Sequence, residues 1–253
     1  MSVESLAPHP TAPTAVLDRV SSVLNAFDGP GRLTLSDVVR RTGLPRSSAH
    51  RMLDQLVQMR WLRRSGRDYE LGMGLIELGS LALAQDRVHT AAMPTLHELH
   101  RMTGYVVHLA VLDGSDIVYL EKIGGRLGGS VPTRSGGRRP ARRTAVGKVL
   151  LAGRETADPE LAQIRERGIA LEREESLRGF GCIAAPIGPA EEAVAAISLC
   201  GPIRAMPFDH RLTNPVRAAA TRIWHDYREQ LVGVAPAVGS RRGWPSAPRA
   251  HSA

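Results

Sequence analysis

The sequence predicts an α+β protein built from two unlike domains, and three observations lead to this prediction. Residues 14–73 contain three helical patterns followed by a short basic hairpin pattern. From about residue 90 the pattern changes to alternating helices and strands. With 253 residues and 43% hydrophobic content, the chain is long enough for each domain to bury its own core.

Composition divides the chain into five segments. Residues 1–13 and 236–253 are rich in Pro, Ala, Ser and Gly without periodicity, so we expect flexible tails there. We assign 14–73 to the first domain, 74–89 to a linker helix and 90–235 to the second domain. Residues 75–85 have too little polar surface for an isolated helix. We therefore expect this helix to pack against a partner chain.

Three helices are predicted in the first domain. The first ends at turn residues 28–31, and its apolar face comprises Leu17, Val20, Leu24 and Phe27. The second begins at Thr34, where Asp37 is placed to complete a capping box, and ends at Thr42-Gly43. The third follows the turn Gly43-Leu44-Pro45. Its unbroken apolar stripe consists of Ala49, Met52, Leu53, Leu56 and Val57.

A basic hairpin follows, with residues 61–64 and 69–71 as its strands and 65–68 as its turn. Two helices, a turn, a third helix and a hairpin form the winged helix-turn-helix arrangement. In that arrangement the third helix presents short polar or arginine side chains to the major groove of DNA. The predicted DNA-binding residues are Arg46, Ser47, Ser48, His50, Arg51, Arg63, Arg64 and Arg67.

These residues differ in their expected roles. We expect Ser47 and Ser48 to hold phosphate, Arg51 to read bases, and the hairpin arginines to contact phosphate or the minor groove. A helix with one polar face can also be merely amphipathic, and winged helices also bind proteins. The sequence therefore leaves open an architectural or docking module that is indifferent to DNA sequence.

The second domain is predicted to be antiparallel, not doubly wound. A hairpin joins strands at 105–112 and 117–123 across the turn 113–116. Later strands are expected at 181–187 and 193–200. Helices are expected at 91–102, 144–153, 158–167 and 210–232.

Net charge and cysteine content narrow the class of protein. The net charge of +8 and pI near 10.4 favour a polyanionic partner such as double-stranded DNA. Arginine supplies nearly all of this charge, a bias that a genome rich in G and C would also produce. Two cysteines cannot build a disulfide framework or a four-ligand zinc site. Without a long apolar run or signal-peptide pattern, we expect a cytoplasmic protein that binds no membrane.

Four segments resemble the IclR family of bacterial transcriptional regulators, in order and spacing. They are the helix-turn-helix segment 35–53 and the later segments 108–114, 144–152 and 181–187. The resemblance spans nearly the whole folded chain. It implies a GAF-like C-terminal effector-binding domain, a homodimer or homotetramer, and a small effector, often carboxylate-bearing or aromatic. It implies a regulator whose operator binding responds to that metabolite, with no enzymatic activity and no cofactor.

The resemblance also carries over six effector-binding positions. These are Ala145, Gly147, Glu172, Cys182, Ser198 and Cys200. The amides of Ala145 and Gly147, at the start of a helix, are expected to hold an anion. The chain departs from the family in two places: Pro140 is followed by Ala141-Arg142-Arg143 instead of Leu-His, and Cys200 stands where some members have Ser. These departures leave the effector open.

An enzyme and a metal site are the alternatives for the second domain. Cys182 with His108 would need a third, orienting group that the sequence does not supply, so we expect a buried structural cysteine. The acidic cluster Glu172, Glu174 and Glu175 is the other candidate for turnover of a small acidic metabolite, or is a solvated loop. His97 and His100 lie three apart on a helix without a completing carboxylate–histidine pattern, so no metal is expected.

A basic segment at 126–148 contains six arginines and one lysine but no acidic residue, a local charge of +7. It could attract an anionic effector or support DNA contact. Its many glycines favour instead a solvated loop without a ligand. The sequence does not decide between these interpretations.

Overall fold

The computed structural model describes residues 15–29 and 31–232, so the two predicted tails lie outside the described residues. Two compact units meet in sequence between Gln85 and Asp86. This division falls inside the predicted linker 74–89, because one helix ends at Gln85 and Asp86 caps the next. We call the two parts the N-terminal unit and the C-terminal unit.

Within residues 15–29 and 31–85, the N-terminal unit comprises four helices and a small antiparallel sheet of order β1-β3-β2. In chain order the elements are α1 (Val16–Asn25), β1 (Leu33–Thr34), α2 (Leu35–Thr42), α3 (Arg46–Gln58), β2 (Leu62–Ser65), β3 (Asp68–Leu71) and α4 (Met73–Gln85). The predicted winged helix-turn-helix is confirmed. The two-residue strand β1, which the sequence pattern did not predict, pairs with β3.

One apolar cluster holds this unit together. Ala49, Met52, Leu53 and Leu56 of the predicted α3 stripe are buried in it, and Val57 packs at its edge. Burial of such side chains contributes roughly 1.5–3 kcal/mol each. The polar face of α3 is thereby fixed toward solvent.

The predicted capping box at the start of α2 is confirmed. The Asp37 amide donates to Thr34 Oγ1 at 3.2 Å, and the Thr34 amide donates to Asp37 Oδ2 at 3.0 Å. Hydrogen bonds from the Thr34 side chain and backbone lower the pKa of Asp37. The cap therefore fixes where α2 begins, beside the polar face of α3.

A backbone hydrogen bond connects the residues just before the hairpin to the start of α4. Arg60 adopts a left-handed φ of 61°, and its carbonyl accepts from the Gly74 amide at 2.9 Å. A Cβ at Gly72 would lie 2.2 Å from the same carbonyl oxygen, so only glycine fits there. Along α4, large apolar side chains stay exposed: Met73, Ile76, Leu78 and Leu81.

The described part of the C-terminal unit, residues 86–232, is a six-stranded antiparallel sheet with helices on both faces. Its strand order is β6-β5-β4-β9-β8-β7. Its elements are α5 (Arg87–Thr103), β4 (Val106–Asp113), β5 (Asp116–Ile123), β6 (Arg138–Pro140), α6 (Ala145–Ala152), α7 (Pro159–Arg167), β7 (Ala170–Arg173), β8 (Phe180–Ile187), β9 (Ala195–Pro202) and α8 (His210–Val232). The edge strands β6 and β7 were not predicted. Helix α5 begins four residues earlier than predicted because Asp86 accepts from the His89 amide at 2.7 Å.

The two faces of this sheet carry different side chains. Ile197 and Leu199 of β9 join the core formed with α5 and α8. Ser198 and Cys200 alternate with them and therefore lie on the opposite face, which α6 and α7 partly cover. No helix among the described residues is both long and apolar enough to cross a bilayer.

Candidate nucleic-acid interface and ligand cavity

A groove in the N-terminal unit lies between the start of α2, helix α3 and the β2–β3 hairpin. The described residues that line it are Thr34, Leu35, Ser36, Arg46, Ser47, His50, Arg51, Arg64, Arg67 and Tyr69. Four of these are arginines and none is acidic. The groove is thus a strongly basic surface that suits a polyanion.

The N-terminus of α3 adds to this positive potential. Pro45 at the N-cap provides no side-chain hydrogen bond, and the first turn contains no acidic residue. Helix geometry leaves the first amides without intrahelical acceptors, and these amides carry the positive end of the helix dipole. Free amides beside Arg46 and Ser47 form a suitable site for a phosphate group.

Six of the eight predicted DNA-binding residues line the groove, and Ser48 and Arg63 do not. The Arg63 guanidinium pairs with Glu70, whose side chain is 8% exposed and also pairs with Arg32 at 2.7 Å. Arg63 is directly opposite Glu70 in the hairpin register. Arg63 is therefore paired but still 66% exposed, and its contact with DNA stays a prediction.

Some groove residues are held by neighbours. The Arg46 guanidinium donates to Ser36 Oγ at 3.2 Å, and His50 Nδ1 lies 3.1 Å from Asp54. The Arg64 guanidinium sits 5.6 Å from the centre of the Tyr69 ring. Thr34 and Ser36 were missed as groove residues, although the capping box marked the turn that carries them.

A cavity of about 110 Å³ lies on the α6 face of the sheet in the C-terminal unit. Its floor comes from β4, β8 and β9, with His108 opposite Ser198 and Cys182 opposite Cys200. Its rim comes from three other segments. The rim residues are Val131, Pro132, Thr133, Arg139, Thr144, Ala145, Val146, Ser176 and Leu177, and Tyr119 completes the lining.

The only two lysines of the chain, Lys122 and Lys148, stabilise this rim through hydrogen bonds and ion pairs. Lys122 Nζ donates to the carbonyl oxygens of Gly128, Val131 and Thr133 at 2.7–2.8 Å. Lys148, whose side chain is 5% exposed, pairs with Glu160 and Glu175, each at 2.7 Å. Both charges therefore stabilise loops, and neither lysine is among the described residues that line the cavity.

His108 is neutral at physiological pH. Burial, followed by the positive charge of Lys122, lowers the pKa of His108 to about 3. Its Nε2 lies 2.8 Å from Thr133 Oγ1, which ties the floor of the cavity to its rim. Because His108 is neutral, the positive charge among the described lining residues belongs to Arg139, which is exposed at the mouth of the cavity.

Four of the six predicted effector positions line the cavity: Ala145, Cys182, Ser198 and Cys200. Gly147 does not, and the expectation that its amide is free is wrong, because this amide donates to Thr144 Oγ1 at 3.0 Å. A Cβ there would lie 2.1 Å from the Ala141 carbonyl oxygen, so Gly147 serves close packing.

Glu172 also lies outside the cavity lining. Its carboxylate accepts from the amides of Glu175 and Ser176 and from Ser176 Oγ at 3.1 Å. Glu172 is buried and stands opposite Cys182 in the β7–β8 register. It positions the loop that brings Ser176 and Leu177 to the rim.

Much of the charge in the basic segment 126–148 is paired. Arg138 contacts Asp113 at 2.6 Å and Asp116 at 3.4 Å. Arg142 pairs with Glu155 and with Asp158, the latter at 2.9 Å. The segment contains the short strand β6 and helical turns at Gly125–Ser130 and Ala141–Arg143. Of its arginines, Arg139 reaches the cavity.

The arrangement of Cys182 and His108 does not favour nucleophilic catalysis. The neighbouring Cys200 thiol and burial raise the pKa of Cys182, whereas burial lowers that of His108. A protonated thiol beside a weak base lacks the activation that cysteine nucleophiles require. His97 and His100 each bond a backbone carbonyl, and no metal-binding group of three side chains occurs within the described residues.

Comparison with known protein families identifies the family of this chain. The model of the IclR helix-turn-helix domain matches residues 16–66, and that of the bacterial transcriptional regulator IclR C-terminal domain matches 80–160 and 153–225. The chain belongs to the IclR family. It is therefore an IclR-type transcriptional regulator with a DNA-binding helix-turn-helix domain.

Individual relatives agree with this assignment. The regulator XynR of Escherichia coli is 30% identical, over 91% of this chain and 98% of its own length. An IclR homologue from Microbacterium hydrocarbonoxydans, solved in complex with 4-hydroxybenzoate, is 28% identical, covers 85% of this chain and all of its own, and has a TM-score of 0.75. A putative regulator from Rhodococcus sp. RHA1 has a TM-score of 0.73 at 28% identity, over 85% of this chain and 98% of its own.

The neutral state of His108 predicts a pH-dependent stability. Between pH 6.5 and the folded-state pKa near 3, the unfolded chain binds a proton at His108 that the folded chain does not, so stability falls as pH falls. We expect wild type to lose about 2 kcal/mol more than His108→Gln between pH 7 and pH 5. Urea unfolding followed by circular dichroism measures this difference. An equal loss in both proteins would mean that folding does not lower the pKa of His108.

Proposed function

We propose that this chain binds a roughly palindromic operator as a dimer, and that a small anionic metabolite in the C-terminal cavity modulates that binding. DNA binding is supported by the groove, whose described lining residues include four arginines and no acidic residue, and by the free amides at the start of α3. The observation that carries the effector part is the cavity with one guanidinium at its mouth.

In this proposal α3 enters the major groove with its N-terminal turn foremost. Ser47 and the uncapped amides hold a phosphate, while Arg51 reaches a base edge, where arginine forms paired hydrogen bonds with guanine. Arg64 and Arg67 on the hairpin contact the backbone or the minor groove. Arg63 takes no part because Glu70 holds it.

Pairing of subunits is proposed to occur through α4. Its exposed Met73, Ile76, Leu78 and Leu81 form an apolar surface that a second copy of the helix would bury. A dimer of this kind presents two α3 helices to successive major grooves. Symmetry of the protein then requires approximate symmetry of the operator.

The cavity fits a small carboxylate. Ala145 and Val146 line it at the start of α6, where helix geometry leaves their amides without intrahelical acceptors. Arg139 supplies a positive charge, and neutral His108 adds no second charge. The 110 Å³ volume is comparable to a cavity of roughly 150 Å³ that holds benzene in another protein. The relative with bound 4-hydroxybenzoate supports an effector of that size.

Regulation then follows from differential binding. An effector alters operator affinity only if it binds the DNA-competent arrangement of the dimer more or less tightly than the alternative arrangement. A ligand in the cavity would contact the rim loops directly, and the ion pairs between elements would pass a shift of one loop to the next. Glu175, for example, ties the rim loop to Lys148 on α6.

The DNA interface is tested by three arginine variants. Arg51→Ala should weaken operator binding roughly 5- to 150-fold and relax base preference, because it removes a base contact worth about 1–3 kcal/mol. Arg67→Ala should weaken binding to all DNA and reduce the salt slope by about 1. Arg63→Gln is the matched control, expected to leave both quantities unchanged, because its amide can still donate to the buried Glu70 carboxylate. Fluorescence anisotropy over a salt series measures them.

Two outcomes would contradict this interface. Equal losses in all three variants would show that net charge alone drives binding. A large loss in Arg63→Gln with none in Arg51→Ala would place the DNA on another face of the hairpin.

The effector site is tested with Arg139→Gln. Calorimetry with benzoate-sized carboxylates, beginning with 4-hydroxybenzoate, should show binding to wild type and at least about tenfold weaker binding to the variant, since a charge-assisted hydrogen bond contributes roughly 1.5–3 kcal/mol. Arg138→Gln is the control, because Asp113 and Asp116 hold that neighbouring arginine. Equal weakening in both variants, or tighter binding of the neutral amide analogue, would refute recognition through Arg139.

A further inference from the structure

The only two cysteines of the chain face each other inside the cavity. Cys182 on β8 is directly opposite Cys200 on β9, and both side chains line the cavity as free thiols. Directly opposed residues in antiparallel strands have Cα atoms about 4.5–5.5 Å apart. A disulfide requires Cα atoms about 4.4–6.8 Å apart, so the backbone need not move to join the pair.

The surroundings of the two thiols indicate which cysteine is oxidised first. Cys182 is half-buried, whereas Cys200 is 3% exposed, so a reagent that enters the cavity meets Cys182 first. The adjacent thiol of Cys200 and burial hold the pKa of Cys182 well above its ordinary value. Low thiolate content makes the first oxidation slow, so the reaction needs excess peroxide and long exposure.

We propose that Cys182 and Cys200 are an oxidation site that closes into a reversible cross-strand disulfide when hydrogen peroxide enters the cavity. In the first step the Cys182 sulfur forms an S–O bond as the peroxide O–O bond breaks. This step yields a sulfenic acid and one water that takes the thiol proton. In the second step the Cys200 sulfur attacks that sulfur, an S–S bond forms, the S–O bond breaks and a second water leaves. Two thiols lose two electrons, and one peroxide is reduced to two waters.

The neighbourhood favours the disulfide over further oxidation. A sulfenic acid on Cys182 would lie directly opposite its resolving thiol, so the second step needs no diffusion. Glu172, the other register neighbour of Cys182, is held by three hydrogen bonds and contributes no thiol or amine that could compete. The small cavity also excludes bulky thiols that would form mixed disulfides.

The site requires no assumption about the effector, because oxidation can be measured on the protein alone. If an effector does occupy the cavity, the bond would change the wall that it contacts, and its affinity for oxidised protein would differ from that for reduced protein.

The test treats the full chain with hydrogen peroxide and measures intact mass, under conditions in which the circular dichroism spectrum is unchanged. We expect the loss of two hydrogens, a monomeric band on a non-reducing denaturing gel, and loss of both thiols that Ellman's reagent detects after denaturation. Dithiothreitol should restore both thiols. Cys182→Ser and Cys200→Ser should each abolish the two-hydrogen loss, and in Cys200→Ser the unresolved Cys182 should gain oxygen.

Other outcomes overturn the proposal. The proposal is overturned if wild type gains two or three oxygens per cysteine, forms only intermolecular disulfides, or keeps both thiols after prolonged exposure to excess peroxide. A folded wild type decides the question even if a variant fails to fold.

Discussion

The alternation of side chains along β-strands is the constraint on which the C-terminal unit depends. Successive residues of β9 point to opposite faces, so Ile197 and Leu199 build the core with α5 and α8 while Ser198 and Cys200 face the cavity. The same period in β4 places His108 beside Ser198. A shift of one residue in register would bury the polar set in the core and expose the apolar set, so register and cavity are fixed together.

Charged side chains in both units hold loops and the hairpin in place. Lys122 donates to three backbone carbonyls of one rim loop. Lys148 pairs with two carboxylates, one of which, Glu175, belongs to a second rim loop. In the N-terminal unit Glu70 holds two arginines at the base of the hairpin. Lys148 and Glu70 are buried, and a buried charge that loses its partner costs several kcal/mol, so these two residues are poorly suited to exchange partners with a ligand. The residues proposed to contact DNA or effector are exposed arginines: Arg51, Arg67 and Arg139.

The sequence predicts elements well where the signal is periodic or local, and less well where it depends on distant partners. The α3 stripe and the Thr34–Asp37 box are local patterns, and both are confirmed. The strands β1, β6 and β7 are short and gain stability from neighbours, so periodicity could not reveal them. The rim positions Thr133 and Arg139 depend on loop placement that no spacing encodes.

The pairing of two predicted site residues, Arg63 and Gly147, could have been inferred from residues nearby in the sequence. Pairing of Arg63 with Glu70 follows from the two-residue turn at Gly66-Arg67, which sets the register of the hairpin. The amide of Gly147 lies three residues after Thr144, and a threonine at the N-cap of a helix is expected to accept from that amide. In both cases a neighbour in the sequence had already taken the group that a ligand would need.

The most direct measurement is selection of operator DNA from a random pool by the full chain at physiological salt, repeated with small carboxylates present. We predict enrichment of a two-fold symmetric sequence with half-sites about one helical turn apart or a multiple of it, and a change in its retention with at least one carboxylate. Failure to enrich any sequence would contradict sequence-specific binding through α3. An enriched operator whose retention no carboxylate alters would leave the DNA interface standing and contradict regulation through the cavity.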